Sequence, residues 1–279
     1  MIRLIASDLD GTIIDNEHSI SQDNIKAIND LQKTNTNFVI CTGKTYSISK
    51  DFCKNLHANF GIFGNGSQII NLATGEVIAK RLLSLDEIKL CFSIVKKYNL
   101  HIHAYTENSI ITENPLYLDL RTSILFSSKI DLLKVDNIFD YILNQKPVIL
   151  KLVISSPSSL ANVKDSLENI TNLTILHIKK TGIYKDKVID KEYEYLDISP
   201  LNVTKGYALE ILSNYLNVKK EEVLSIGDNI NDIDMFKTSG ISVAINNAYD
   251  EVKKVANYTT TNSVENGGFA EAIYKFISF

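Results

Sequence analysis

Three apolar runs in this 279-residue chain end in side chains that can do chemistry: Asp8-Leu9-Asp10, Thr42-Gly43 and Asp228. Asp8 and Asp10 stand two apart at the end of a run that reads as a strand, and the strand period puts both side chains on one side. Two carboxylates that close repel each other unless a cation or a proton intervenes. Asp228 adds a third. Three oxygen donors with an open side suit Mg²⁺, which takes carboxylate, water and phosphate oxygens. No cluster of His or Cys in the sequence points to zinc. Taken singly, Asp8 to Gly11 would also fit an exposed turn, and Asp228 a helix N-cap.

Lys205 follows Thr204, a candidate N-cap, and so falls in the first turn of a helix, where a cation opposes the macrodipole. A helix N-terminus attracts anions, so a lysine there makes sense if it meets one. A solvated surface lysine is the plainer alternative. Thr42 offers a hydroxyl and Gly43 a closely approachable backbone N–H, both suited to a phosphate oxygen. A simple strand-to-helix turn would use the same pair.

The elements that must position these residues follow from the apolar pattern. Ile2 to Ser7, Asn37 to Cys41 and Phe60 to Phe63 are continuous apolar runs, as expected of parallel strands buried on both faces. Between them lie a helix capped by Ser21 and another ending near His57, so a parallel sheet with helical crossovers is predicted. Open sheets of this kind bind ligands at the carboxyl ends of their strands, where the polar residues fall. The pattern then changes to short strands, turns at Asn65-Gly66 and Thr74-Gly75, and a helix opened by the Ser84 and Glu87 capping box. Tyr184 to Ile189 suggests one arm of a hairpin. The alternating pattern returns near Tyr195, followed by strands at Val223 to Gly227 and Ile241 to Ile245 and a helix from Gly268.

The predicted class is therefore α/β. A doubly wound, Rossmann-like core spans 1–83 and 193–279, and an α+β domain is inserted at 84–192, within the usual size range of a domain. Connectors are expected at Arg81 to Ser84 and Lys191 to Glu194.

Composition narrows the function classes. A hydrophobic content of 44% and a charged content of 22% describe an ordinary globular protein. With a net charge of −4 and no polybasic tract, neither nucleic acid nor an anionic membrane is an expected partner. No obligatory protein partner is implied. The apolar stretch before Asp8 is too short for a signal-peptide core. Cys41, Cys53 and Cys91 have no metal-ligand spacing and suit a reducing compartment, so a cytoplasmic location is expected. Cys41 reads as a small core residue. His101 and His103 alternate along a predicted strand, an arrangement that usually faces water.

Together these motifs resemble the haloacid dehalogenase superfamily of phosphohydrolases. The matching pieces are Asp8-Leu9-Asp10-Gly11-Thr12, Cys41-Thr42-Gly43, Lys205-Gly206 and Gly227-Asp228-Asn229-Ile230-Asn231-Asp232. The position of the insertion and the form of the last motif look like the Cof-type branch with a type IIB cap. The resemblance implies that Asp8 takes the phosphoryl group. It implies that Asp10 protonates the leaving oxygen and later activates water. Thr42, Gly43 and Lys205 would bind the phosphoryl group. Asp8, the backbone carbonyl of Asp10, and Asp228 would bind Mg²⁺, with Asn231 and Asp232 supporting them. In this branch the loop carrying Asn65 and Gly66 lies near the substrate. Two positions depart from the pattern. Lys44 stands where the branch commonly has Arg, which grips phosphate as a fork where Lys is a point charge. Asn202 stands where Gly is usual, and Asn tolerates a left-handed backbone.

The function this implies is a phosphatase acting on a small phosphorylated metabolite, with sugar phosphates the leading class and flavin mononucleotide or pyridoxal phosphate as further substrates to test. A phosphotransferase or mutase would use the same phosphoenzyme with a different acceptor. A receiver-like phospho-acceptor module shares the aspartate, metal and lysine but has no place for the insertion or for Asp10. A catalytically silent binding protein on this fold would not need the full acidic set.

Overall fold

The central strands of the core form where the chain is largely apolar. The structure, a computed structural model, describes residues 1–17, 19–115, 131–170, 172–184 and 187–279. In chain order its strands are β1 (Leu4–Ser7), β2 (Asn37–Cys41), β3 (Phe60–Phe63), β4 (Gln68–Asn71), β5 (Val77–Lys80), β6 (His101–Tyr105), β7 (Ser109–Thr112), β8 (Asp131–Lys134), β9 (Lys151–Ser156), β10 (Leu173–Tyr184), β11 (Lys187–Pro200), β12 (Val223–Gly227), β13 (Ile241–Ala244) and β14 (Tyr258–Thr259). They form two sheets, ordered β14-β13-β12-β1-β2-β3-β4-β5 and β10-β11-β9-β6-β7-β8.

The chain divides into two compact units. One comprises Met1–Lys44, Ser49–Lys80 and Val203–Phe279; the other comprises Thr45–Ile48 and Arg81–Asn202. In the first unit β14 through β3 run parallel, and β4 and β5 add an antiparallel edge. Both sheet faces are covered. Leu4, Ala6, Val39 and Ile62 pack with Leu209, Leu212 and Met235 on one side. On the other side Phe38 meets Phe269 with ring centroids 5.9 Å apart. The strand order reverses beside β1, which lies between β12 and β2, and this is where such sheets bind ligands.

The second unit packs helices Leu85–Tyr98, Ile138–Gln145 and Ala161–Ile170 with its mixed sheet around a core that includes Cys91, Leu152, Leu167 and Leu196. The Ser84–Glu87 capping box opens the first of these helices as expected. A hairpin is present, the antiparallel pair β10 and β11, but Tyr184 to Ile189 is not one arm of it: Tyr184 ends β10 and pairs with Lys187, where β11 begins. The expected return to the core near Tyr195 is corrected by β11. Its residues Glu194–Ile198 pair with Leu152–Ser156 of β9, so the inserted sheet runs on to Pro200 and the unit to Asn202. Tyr195, Leu196 and Ile198 are all buried in that sheet, which is why the stretch reads like a core strand. Asn202, at the last position of this unit, has φ +61°, the left-handed conformation its side chain tolerates.

His103 also departs from expectation. It is buried rather than solvated, with Nδ1 2.9 Å from Thr112 Oγ1 and Nε2 3.3 Å from Ser155 Oγ on neighbouring strands. Among the described residues no helix is long and apolar enough to cross a membrane.

Candidate active site

The ends of β1, β2 and β12 deliver Asp8, Thr42 and Asp228. The sheet fixes them: the Asp8 N–H donates to Ile226 O at 2.9 Å and the Thr42 N–H to Ile62 O at 2.9 Å. Beyond β1 the chain must turn at once. Gly11 makes that turn with φ +80°. Its N–H donates to Ile14 O at 2.8 Å. Thr12, buried by the turn, donates its hydroxyl to Asp228 Oδ1 at 2.8 Å.

Lys205 enters this cluster from the helix Lys205–Tyr215. Thr204 caps that helix, its Oγ1 accepting from the Tyr207 N–H at 3.1 Å and donating to Asp234. Lys205 is only 1% exposed, so the solvated-surface alternative does not hold. Its ammonium lies 2.8 Å from Asp8 Oδ1 and 2.7 Å from Asp232 Oδ1. Burial alone would lower its pKa, but the carboxylates of Asp232 and Asp8 outweigh burial and push it up. The lysine is therefore a fixed cation.

Two of the buried carboxylates beside it, Asp8 and Asp228, feel the opposite strain. Burial raises Asp8 to about 7 against the pull of Lys205, with Asp232 and Asp10 adding to the rise. Burial, then Asp8 and Asp232, raise Asp228 as well. Asp8, Asp228 and Asp232 each place one carboxylate oxygen within 4.8 Å of the others. One lysine does not balance three such groups, so the donor set fits a divalent cation. Asp232 is already engaged: Oδ1 takes Lys205, and Oδ2 accepts the N–H groups of Asp228 and Asn229, each at 2.9 Å. Asp8 and Asp228 are thus the carboxylates best placed to hold a metal. The buried Oδ1 of Asn231 has no partner among the described residues, a further acceptor beside the site.

The remaining expected residues fall around this centre. The Nδ2 group of Asn231 donates to Asn65 Oδ1 at 2.9 Å. Asn65 holds φ +55° within the turn Gly64–Gly66, and its N–H donates to Thr42 O at 3.1 Å. A Cβ on Gly43 would stand 3.1 Å from Asn65 Oδ1, so the backbone there approaches its neighbour closely. Asp10 turns to a different partner: its Oδ1 lies 2.5 Å from Lys44 Nζ. Cys41 is fully buried, and burial pushes its thiol well up, so it is an inert core residue. Sequence reasoning missed three contacts: Thr12 with Asp228, Lys205 with Asp232, and Lys44 with Asp10. Each joins positions far apart in the chain, and no spacing rule reports such pairs.

Comparison with known proteins gives a family. Residues 5–273 match the haloacid dehalogenase-like hydrolase family. The chain is 28% identical over 278 residues to the 5-amino-6-(5-phospho-D-ribitylamino)uracil phosphatase YcsE of Bacillus subtilis strain 168, covering 99% of this chain and 96% of that one. A haloacid dehalogenase-like hydrolase from Bacteroides thetaiotaomicron superposes with a TM-score of 0.81 at 24% identity, over 99% of this chain and 100% of the other. The HAD subclass IIB sugar phosphatase BT4131 superposes with a TM-score of 0.77 at 22% identity, over 98% of each chain. With nearly its whole length matched, the chain belongs to the haloacid dehalogenase-like hydrolase family, in its Cof-type branch.

Proposed function

We propose that this protein is a cytoplasmic, Mg²⁺-dependent phosphatase that hydrolyses a small phosphorylated metabolite, a sugar phosphate in class, through a phosphoenzyme on Asp8. It is a phosphoric monoester hydrolase on family grounds. The observation that carries the reading is the setting of Asp8: a buried carboxylate 2.8 Å from the ammonium of Lys205, with the carboxylate of Asp228 beside it. A nucleophile for phosphoryl transfer needs charge neutralisation and positioning more than covalent assistance, and this setting provides both.

In the first half-reaction an Asp8 oxygen bonds to phosphorus as the bond to the leaving oxygen breaks. Asp10 gives its proton to that oxygen. In the second, water attacks phosphorus, Asp10 takes the water proton, and the bond to Asp8 breaks. Splitting one displacement into two lowers the barrier of each. Lys205, the Thr42 hydroxyl and the Gly43 N–H hold phosphoryl oxygens throughout. Asp8, Asp228 and the Asp10 backbone carbonyl would hold Mg²⁺, while Asp232 and Asn231 orient Lys205 and the loop around Asn65. A bound Mg²⁺ would neutralise phosphoryl charge.

Support for the substrate class comes from similar proteins: one is named for a 5-phospho-D-ribityl compound and another as a sugar phosphatase. The test is phosphate release across a panel of sugar phosphates, the phosphoribitylaminouracil, flavin mononucleotide and pyridoxal phosphate, with and without Mg²⁺. Release from none of them by wild-type protein, or equal release by Asp8→Asn, would overturn the reading. Transfer to an added sugar in place of water would identify a phosphotransferase.

A further inference from the structure

The two aspartates that follow β1 each meet a lysine. Lys205 serves Asp8, and Lys44 serves Asp10. Lys44 Nζ lies 2.5 Å from Asp10 Oδ1, with the two side chains only 14% and 17% exposed. The lysine is itself well fixed. Its N–H donates to Thr42 Oγ1 at 3.2 Å, its carbonyl accepts from the Gly64 N–H at 2.8 Å, and its ammonium stands 5.7 Å from the centre of the Phe52 ring. Asp10, by contrast, sits where the chain leaves β1 for the left-handed turn at Gly11, outside the sheet that fixes Asp8. A carboxylate in a turn needs a partner if it is to meet one particular proton.

We propose that Lys44 is a positioning residue for Asp10, holding its carboxylate in place to accept the proton of the attacking water when the phosphoenzyme is hydrolysed. The proposal rests on the reading of Asp10 as acid and base. It differs from phosphate gripping, the use suggested by an Arg at this position. An ammonium is a compact point charge that fits one carboxylate oxygen. Misplacing a reacting group by about 1 Å costs on the order of 10²-fold in rate. The effect falls on the step in which Asp10 acts as base, because the ion pair is made with its ionised form.

The test is rapid-quench kinetics of a double-mutant cycle with p-nitrophenyl phosphate, whose leaving group hardly needs an acid. Lys44→Met should keep a burst of nitrophenol near one equivalent and lose roughly 10²-fold in the steady state, with kcat/KM little changed. Lys44→Arg, which retains a cation, should recover most of that rate. In an Asp10→Asn background Lys44→Met should add almost nothing, since residues that act through one another are non-additive. Three results would overturn the proposal: a raised KM with a slowed burst in Lys44→Met, an equal further loss in the Asp10→Asn background, or no recovery by Lys44→Arg in a protein with wild-type thermal unfolding. If Asp10→Asn itself leaves phosphoenzyme hydrolysis at the wild-type rate, the acid–base reading falls, and the proposal falls with it.

Discussion

Gly11 lies directly against Asp228: a Cβ placed on Gly11 would overlap the Asp228 carboxylate, and Gly11 holds φ +80°. The first and last motifs of the chain thus meet through the absence of a side chain. Gly11→Ala would force the turn away from the left-handed region, costing ~1–2 kcal/mol from the backbone alone, and would displace Asp228. The expected outcome is a folded, destabilised protein with little turnover at any Mg²⁺ concentration, read by urea denaturation alongside phosphate release. Wild-type activity in this variant would show that the Asp228 carboxylate tolerates displacement.

Asp8 carries a cost in stability that its function explains. Burial raises it to about 7, so the folded protein holds its charge reluctantly. Replacing it with Asn removes one of three crowded carboxylates. In metal-free buffer Asp8→Asn should unfold at higher urea, gaining ~0.5–2 kcal/mol as relieved active-site strain commonly does. It should form no phosphoenzyme. A variant that is less stable than wild type in chelator would contradict the charge imbalance described around Lys205.

Lys205 is the converse case. Its ammonium lies within 2.8 Å of Asp8 and 2.7 Å of Asp232 and is closed off from solvent. Lys205→Met leaves those carboxylates uncompensated, and breaking a buried pair from one side costs ~3–5 kcal/mol. Combining it with Asp8→Asn should restore part of the loss, because the two residues are in contact. A double variant whose stability is simply the sum of the two single changes would mean that Lys205 acts through Asp232 alone.

The core strands were legible because continuous apolar runs ending in polar residues mark buried parallel strands: Asn37–Cys41, Phe60–Phe63 and Val223–Gly227 fall where the pattern puts them. Asp8, Thr42 and Asp228 were legible as strand-end residues for the same reason. What the pattern cannot carry is tertiary pairing. Thr12 and Lys44 look like ordinary turn residues until the fold brings Asp228 and Asp10 to them. The end of β11 was misread because a strand buried in the inserted sheet has the composition of one buried in the core. His103 was misread because alternation reports the faces of a strand, and only neighbouring strands decide whether a polar face is wet; Thr112 and Ser155 close this one.

Glu271 offers a test of the core away from the active site. Its carboxylate takes the hydroxyl of Tyr258 at 2.6 Å and the N–H groups of Thr261 and Asn262 at 2.9 Å each. Burial would raise its pKa, yet these donors hold it below the usual glutamate value. A carboxylate depressed in the folded state adds stability above its unfolded pKa, and that stability is lost as pH falls through the folded value. Glu271→Gln should therefore lower the melting temperature at pH 7 and flatten its fall between roughly pH 5 and 3. Parallel wild-type and variant profiles across that window would show that these hydrogen bonds do not favour the ionised form.

The metal requirement can be tested without turnover. Asp8 and Asp228 are both raised by burial and by their neighbouring carboxylates, so a cation that binds between them should stabilise the fold as well as the reaction. A ligand that binds only the folded state contributes RT ln(1 + [L]/Kd), about 2.7 kcal/mol at a hundredfold excess over Kd. Added Mg²⁺ should therefore raise the melting temperature of chelator-treated protein. Asp228→Asn should abolish most of that rise while leaving the Lys205 ion pairs with Asp8 and Asp232 in place. Ca²⁺, which prefers more ligands and looser geometry, should stabilise yet support turnover poorly. Asp10→Asn keeps the backbone carbonyl, so its Mg²⁺-dependent rise should match wild type even as its turnover falls. If Asp10→Asn loses the rise and Asp228→Asn keeps it, the metal ligands are misassigned and the cation sits on the Asp10 side chain instead.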